Sequence, residues 1–151
     1  MLELLSPAGS PESVVAAVQN GADAVYLGLG DFNARRGAKN FTDEEFQMAV
    51  RYCRTRGCRV YVTLNTLVTD RETEAAVRAA ALANDVGADG IIIQDLGLVR
   101  AIRSALPDMP LHASTQMSLH NLAGVEAAAE MGITRAVLAR ELSLEQIRFI
   151  T

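Results

Sequence analysis

Ten residues from Asp31 to Asn40, DFNARRGAKN, carry Asp31, Asn33, Arg35, Arg36, Lys39 and Asn40 without helical or strand periodicity. They follow directly on the apolar run Ala24–Leu27 and the glycines Gly28 and Gly30. A polar loop just beyond a buried strand is where alternating α/β proteins place ligand sites, because the strand ends converge there. Amides offer donor and acceptor together, and guanidinium groups hold carboxylate or phosphate at two points, so this chemistry suits a polar ligand of anionic or nucleobase-like kind. The same offering recurs beyond the other apolar runs: Ser6 and Gly9, Asn65 and Thr66, Gln94 and Asp95, then His112, Ser114, Gln116 and Asn121, and last Arg140 and Glu141.

Several of these residues have plainer uses. Asp95 is most economically the cap of a following helix. Arg140 and Glu141 could form a structural ion pair, and His112 on a strand is a hydrogen-bonded core or rim histidine rather than a metal ligand, since no cysteine, histidine or carboxylate stands at a metal spacing from it. His120 is expected at the surface. No serine elbow of a hydrolase, paired-histidine zinc helix or dinucleotide-binding glycine fingerprint is present. Cys53 and Cys58 fit neither a zinc nor a thioredoxin spacing and are expected as reduced, part-buried thiols. No metal site is expected.

These residues must be positioned by alternating strands and helices. The strands are expected at Leu2–Leu5, Ala24–Leu27, Val60–Leu64, Gly90–Ile93, Leu111–Ala113 and Ala136–Ala139. Between them, Ser10 before Pro11, Thr42 with Glu45, Thr69 with Glu72, Asp95, and Ser143 with Gln146 mark helix starts. Gly21, Gly57, Gly87 and Gly132 mark the stops. Parallel strands with helical crossovers leave two architectures, a closed barrel or an open doubly wound sheet. Tyr61, Thr63 and Asn65 share one strand face against Val60, Val62 and Leu64, and His112, Ser114 and Gln116 oppose Leu111 and Ala113. One apolar and one part-polar face favours a barrel, whose interior carries polar residues toward its mouth. The expectation is therefore a TIM-type (β/α) barrel, incomplete at about six units, with residues 1–151 as a single domain forming its N-terminal portion. Open barrel edges would favour self-association or a partner chain. Half the residues are hydrophobic and the net charge is −4, which argues against a nucleic-acid surface spread over the whole chain. With neither a signal peptide nor an apolar run of spanning length, no membrane partner and a cytoplasmic location are expected.

Seven blocks in order carry a resemblance: ELLSPAG from Glu3, NGADAVYLG from Asn20, FNAR from Phe32 with Asn40-Phe41, TLNT from Thr63, GADGIIIQDLG from Gly87, LHASTQMS from Leu111 and LARELSLEQI from Leu138. Together they resemble the peptidase U32 family of collagenase-like proteases. The resemblance implies a barrel catalytic domain and two competing activities: oxygen-independent hydroxylation, of a base in tRNA or rRNA or of the ubiquinone ring, and proteolysis. It also implies an iron–sulfur cluster held by cysteines beyond the sixth unit and a prephenate-derived hydroxyl donor. This segment ends before that cysteine block, so it is expected to bind no cluster itself and to be inactive alone. On the hydroxylase reading, Asn33, Arg35, Asn65, Gln94, Ser114 and Gln116 line the substrate pocket, and RNA is the partner. Arg35 and Arg140 hold anionic groups, and Glu141 accepts a proton or orients Arg140. The alternatives are a peptidase, or a non-catalytic assembly module whose strand edges recruit a partner.

Overall fold

The computed structural model describes residues 2–30, 32–34 and 41–151. Six parallel strands form one sheet in the order β1 to β6: Leu5–Pro7, Ala24–Gly28, Arg59–Leu64, Gly90–Ile93, Leu111–Ala113 and Ile133–Ala136. Helices α1 (Pro11–Gln19), α2 (Asp43–Arg54), α3 (Asp70–Val86), α4 (Leu96–Ala105) and α5 (Leu122–Glu130) are the crossovers, and α6 (Leu144–Ile150) follows β6. A single 3₁₀ turn, Thr115–Met117, leaves β5. Among the described residues no helix is long and apolar enough to cross a membrane.

Local chemistry accounts for the element ends. The Ser10, Thr42 and Ser143 hydroxyls each accept from the backbone N–H three residues on, and Asp95 does the same for Leu98 at 2.8 Å, supplying acceptors for otherwise orphaned donors. Gly21 and Gly87 adopt φ of +87° and +91°, a conformation that costs glycine nothing. Each opens a Gly-Ala-Asp triplet whose aspartate ties a neighbouring strand. The Asp23 carboxylate accepts from the Leu4 N–H at 2.7 Å, and that of Asp89 from the Val60 N–H at 2.8 Å. The repeated triplet is thus a clamp at the strand N-terminal ends, away from the polar loops.

Two strands are displaced by more than one residue from the sequence expectation, while β2 and β3 are each one residue longer. β1 begins at Leu5, because the Leu4 N–H is committed to Asp23 and register pairing starts at Leu5 with Ala24. β6 is Ile133–Ala136, three residues earlier than the expected Ala136–Ala139. Gly132 turns straight into it, and a register shift between Leu111 and His112 sets Arg135 opposite His112. Val137–Ala139 then follows the β5–α5 connection through the bonds Val137 N–H to Ala113 O, 2.9 Å, and Ala139 N–H to Leu119 O, 2.8 Å.

The sheet faces are chemically distinct. Val25, Leu27, Val60, Val62, Leu64, Ile91, Ile93 and Leu111 pack against the helices, meeting Phe46, Ala49, Val50 and Cys53 of α2 and Leu98, Val99 and Ile102 of α4. This is the main core, where each large apolar side chain contributes roughly 1.5–3 kcal/mol of burial. The other face holds a small cluster of Ala24, Tyr61 and Ile92 with Leu5 and Tyr26. Beside it lies a polar group: Glu3 pairs with Arg59 at 2.6 Å and Arg135 at 2.8 Å, and the Tyr61 hydroxyl donates to the Glu3 carboxylate at 3.1 Å. In a flat sheet, five strand spacings would separate β1 from β6 by about 24 Å. Two side chains cannot span that gap, so the Glu3–Arg135 contact requires a sheet curled into a barrel wall, with this face inside. Burial alone would raise the Glu3 carboxyl. The hydrogen bond and charge of Arg135, with Tyr61 and Arg59, outweigh it and hold the carboxyl below its usual range.

A candidate ligand cleft at the strand C-terminal rim

Inside the curl, toward the strand C-termini, lies an open cleft of about 1130 Å³. Its floor is the upper part of the inner sheet face, with Tyr26, Thr63 and Ile92. Thr63 spends its hydroxyl on the Leu27 carbonyl at 3.1 Å. Strand periodicity alone places these residues inside, since alternate side chains share a face.

Three chain segments build the walls. The first is the β2–α2 connection. Asn33 is 4% exposed, and its Nδ2 donates to the Gly30 carbonyl at 3.1 Å. The second wall begins at Asn65, whose Oδ1 accepts from the Ala34 N–H at 3.0 Å while its Nδ2 reaches Ser114 Oγ at 3.5 Å. Ser114 Oγ also accepts from the Gln116 N–H at 3.3 Å and lies 3.4 Å from Gln116 Oε1. Asn65 thus joins the loops that follow β2 and β5, which is a positioning role. The third wall is Val137–Leu142, held against the β5–α5 connection, with Gln146 of α6 behind it.

Of the expected site residues, Asn33, Asn65, Ser114, Gln116, Arg140 and Glu141 line this one cleft. Arg35 lies outside the described residues, as do Arg36, Lys39 and Asn40. Gln94 does not line the cleft, whose wall on β4 is made by Ile92. Asp95 is the α4 cap and also receives the Val68 N–H at 3.4 Å. Arg140 and Glu141 are exposed and form no ion pair with each other or with any described residue. His112 is buried below the cleft, its ring edge against Tyr61 with centroids 4.8 Å apart.

Sequence reading missed Tyr26, Phe41, Thr115, Ser118 and His120, all of which line the cleft. For Tyr26 a signal existed, because it alternates with the core residues Val25 and Leu27. His120, expected simply at the surface, is exposed but faces the cleft, with Nδ1 2.7 Å from the Ser118 carbonyl.

Gly28 sets the position of Asn33. A Cβ there would stand 2.6 Å from both Cγ and Nδ2 of Asn33, closer than any tolerable contact. Gly28→Ala is therefore expected to fold, since its backbone is not in the left-handed region, while displacing the Asn33 amide. Ligand affinity at the cleft should fall about tenfold, as for a lost hydrogen bond; unchanged affinity would leave Asn33 without a binding role.

The residues do not fit an iron–sulfur cluster. Among the described residues no group of three or more His, Cys, Asp or Glu could hold a metal ion. Cys53 and Cys58 are free and buried, on the inner face of α2 and just before β3, and burial with the neighbouring Cys58 pushes the Cys53 thiol up to about 12. That environment suits inert thiols.

Residues 9–151 match the model of peptidase family U32. The chain is 39% identical over 149 residues to the 23S rRNA 5-hydroxycytidine C2501 synthase of Escherichia coli, covering 99% of this chain and 22% of that protein. It is 37% identical over 146 residues to the tRNA hydroxylation protein P1 of Bacillus subtilis, covering 97% of this chain and 35% of that one. Among solved structures, the U32 peptidase Mk0906 superposes with a TM-score of 0.77 at 15% identity, covering all of this chain and 66% of that one. The chain thus spans between about a fifth and a third of the length of these two curated relatives.

Proposed function

The chain belongs to peptidase family U32, and from that premise we propose that its cleft forms part of the substrate site of an enzyme that hydroxylates a base in tRNA or rRNA without using oxygen. The observation that carries this reading is the meeting of Arg140 and Glu141, which have no ion-pair partner among the described residues, with the amides of Asn33 and Gln116 and the ring of Tyr26 in one cleft. Aromatic faces take up an unstacked base, amides read its edge, and a cation receives phosphate or carboxylate. The volume suits a nucleotide-sized ligand, and an open mouth admits one still attached to RNA.

In this reading Arg140 holds the anionic groups of the substrate or of a prephenate-derived hydroxyl donor. Glu141, on the same segment, accepts a proton. Arg35 and Gln94 are proposed as further contacts to the RNA. A cluster in the whole protein would draw its ligands from outside this segment. The site of action is the cytoplasm, where these RNAs are.

The test is mass spectrometry of nucleosides from total tRNA and rRNA, comparing cells that lack the gene with complemented cells. Loss of one hydroxylated nucleoside, restored on complementation, is expected and would name the base. Unchanged RNA together with cleavage of a protein substrate would favour a peptidase. Against a peptidase stands the surrounding of Ser114: its hydroxyl meets Asn65 and Gln116 amides, not a base, and His112 is packed on Tyr61.

A further inference from the structure

We propose that His120 is a specificity-determining residue of the cleft, its Nε2 accepting a hydrogen bond from an N–H on the Watson–Crick edge of the bound pyrimidine. This rests on the reading of the cleft as a base-binding site. Three observations place the acceptor.

First, His120 lines the cleft through the same connection that supplies Ser114, Thr115, Gln116 and Ser118. Second, its Nδ1 lies 2.7 Å from the Ser118 carbonyl oxygen. A carbonyl only accepts, so Nδ1 carries the proton, and in the neutral ring Nε2 is left as a bare acceptor. Third, Ser118 is the one described residue other than glycine with positive φ, at +57°. Closing the 3₁₀ turn in that left-handed conformation sets the Ser118 carbonyl within reach of the imidazole two residues on, and the turn itself is fixed by the Ser118 N–H to Thr115 O bond at 3.0 Å.

The acceptor complements what the other walls offer. Asn33 and Asn65 each commit an Nδ2 hydrogen, to Gly30 and Ser114, Asn65 Oδ1 receives the Ala34 N–H, and the acceptor on Glu141 is a charged carboxylate, so His120 adds an uncharged one. Arg140 only donates. A neutral histidine with a bare Nε2 supplies the acceptor that an N3–H of uracil or an exocyclic amine of cytosine requires, and it presents no such partner to a base edge methylated at that position.

The tautomer is read directly by long-range ¹H–¹⁵N correlation on the ligand-free protein at neutral pH. A protonated Nδ1 with bare Nε2 is expected; a ring protonated at Nε2 alone overturns the proposal. In cells, His120→Leu should lower the hydroxylated nucleoside by about tenfold, as for one lost hydrogen bond, with the protein's unfolding midpoint unchanged. His120→Gln, which restores an acceptor, should recover part of that loss. Full hydroxylation by the leucine variant, or a glutamine variant no better than leucine, overturns the acceptor role. RNA unchanged in cells that lack the gene would instead overturn the base-binding reading, and the assignment of His120 to a base would fall with it whatever the tautomer.

Discussion

Alanine in place of Arg140 is expected to lower RNA hydroxylation by about 10²-fold or more, the order lost with one preorganised donor at a reacting or binding centre, without changing the unfolding midpoint. Both halves follow from its surroundings. The guanidinium lines the cleft, is exposed and has no carboxylate partner among the described residues. Removing it therefore breaks no ion pair among the described residues and opens no core, and exposed substitutions of that kind stay within about 0.5 kcal/mol. A cation left unpaired in a concave site is available to an anion. Lysine at the same position should recover only part of the activity, because a point charge cannot reproduce a two-point contact. Nucleoside quantification from complemented cells reads the first effect, and urea unfolding of the purified variant reads the second. A variant that hydroxylates normally would remove Arg140 from the site; one that unfolds early would make it a structural residue.

The sequence was informative where a feature has a local cause. The caps at Ser10, Thr42, Asp95 and Ser143 and the helix-ending glycines are set by hydrogen bonds within a few residues, and they stand where spacing placed them. The buried residues of α2, Phe46, Ala49, Val50 and Cys53, likewise recur at helical spacing. Alternation in β3 and β5 distinguished inner from outer face, and with it the barrel from the open sheet. What stayed hidden depends on contacts far apart in sequence. Nothing near Glu3 announces that it meets Arg135, 132 residues on, and Arg135 falls just before the expected strand Ala136–Ala139. Residue types beyond strand ends pointed to the rim where the cleft lies, yet they could not separate groups facing the cleft from those supporting its walls. Asn65 lines the cleft as expected, and it also ties Ala34 to Ser114, a supporting contact that its position in the sequence did not reveal. His120 looked like surface, and only the turn at Ser118 brings it to the cleft.

The inner face of the sheet also predicts how the fold responds to acid. His112 is 6% exposed, packed on Tyr61, and faces the Arg135 guanidinium from β6 and the Glu3 carboxylate ahead of β1. Burial first, and the charge of Arg135 second, push its pKa down from 6.5 to about 4, with Glu3 opposing weakly. The folded state thus holds His112 neutral where the unfolded chain would protonate it. Stability from this residue is complete above the unfolded value of 6.5 and drains as pH falls toward 4, a loss on the order of 3 kcal/mol at about 1.4 kcal/mol per pKa unit. Glu3 acts in a lower window: its folded pKa lies below 4.5, so its contribution is present above that value and is lost only as pH falls through the folded pKa. Urea unfolding followed by circular dichroism at several pH values between 7 and 4 separates the two. The native chain should lose stability across the upper window, and His112→Phe, which keeps a ring against Tyr61 but cannot titrate, should show a nearly flat profile there whatever its absolute stability. His120, the other histidine, is present in both proteins and cancels in the comparison. Equal slopes for the two would mean that His112 takes up its proton in the folded barrel as easily as in the unfolded chain, and that the inner face is wetter than its packing implies.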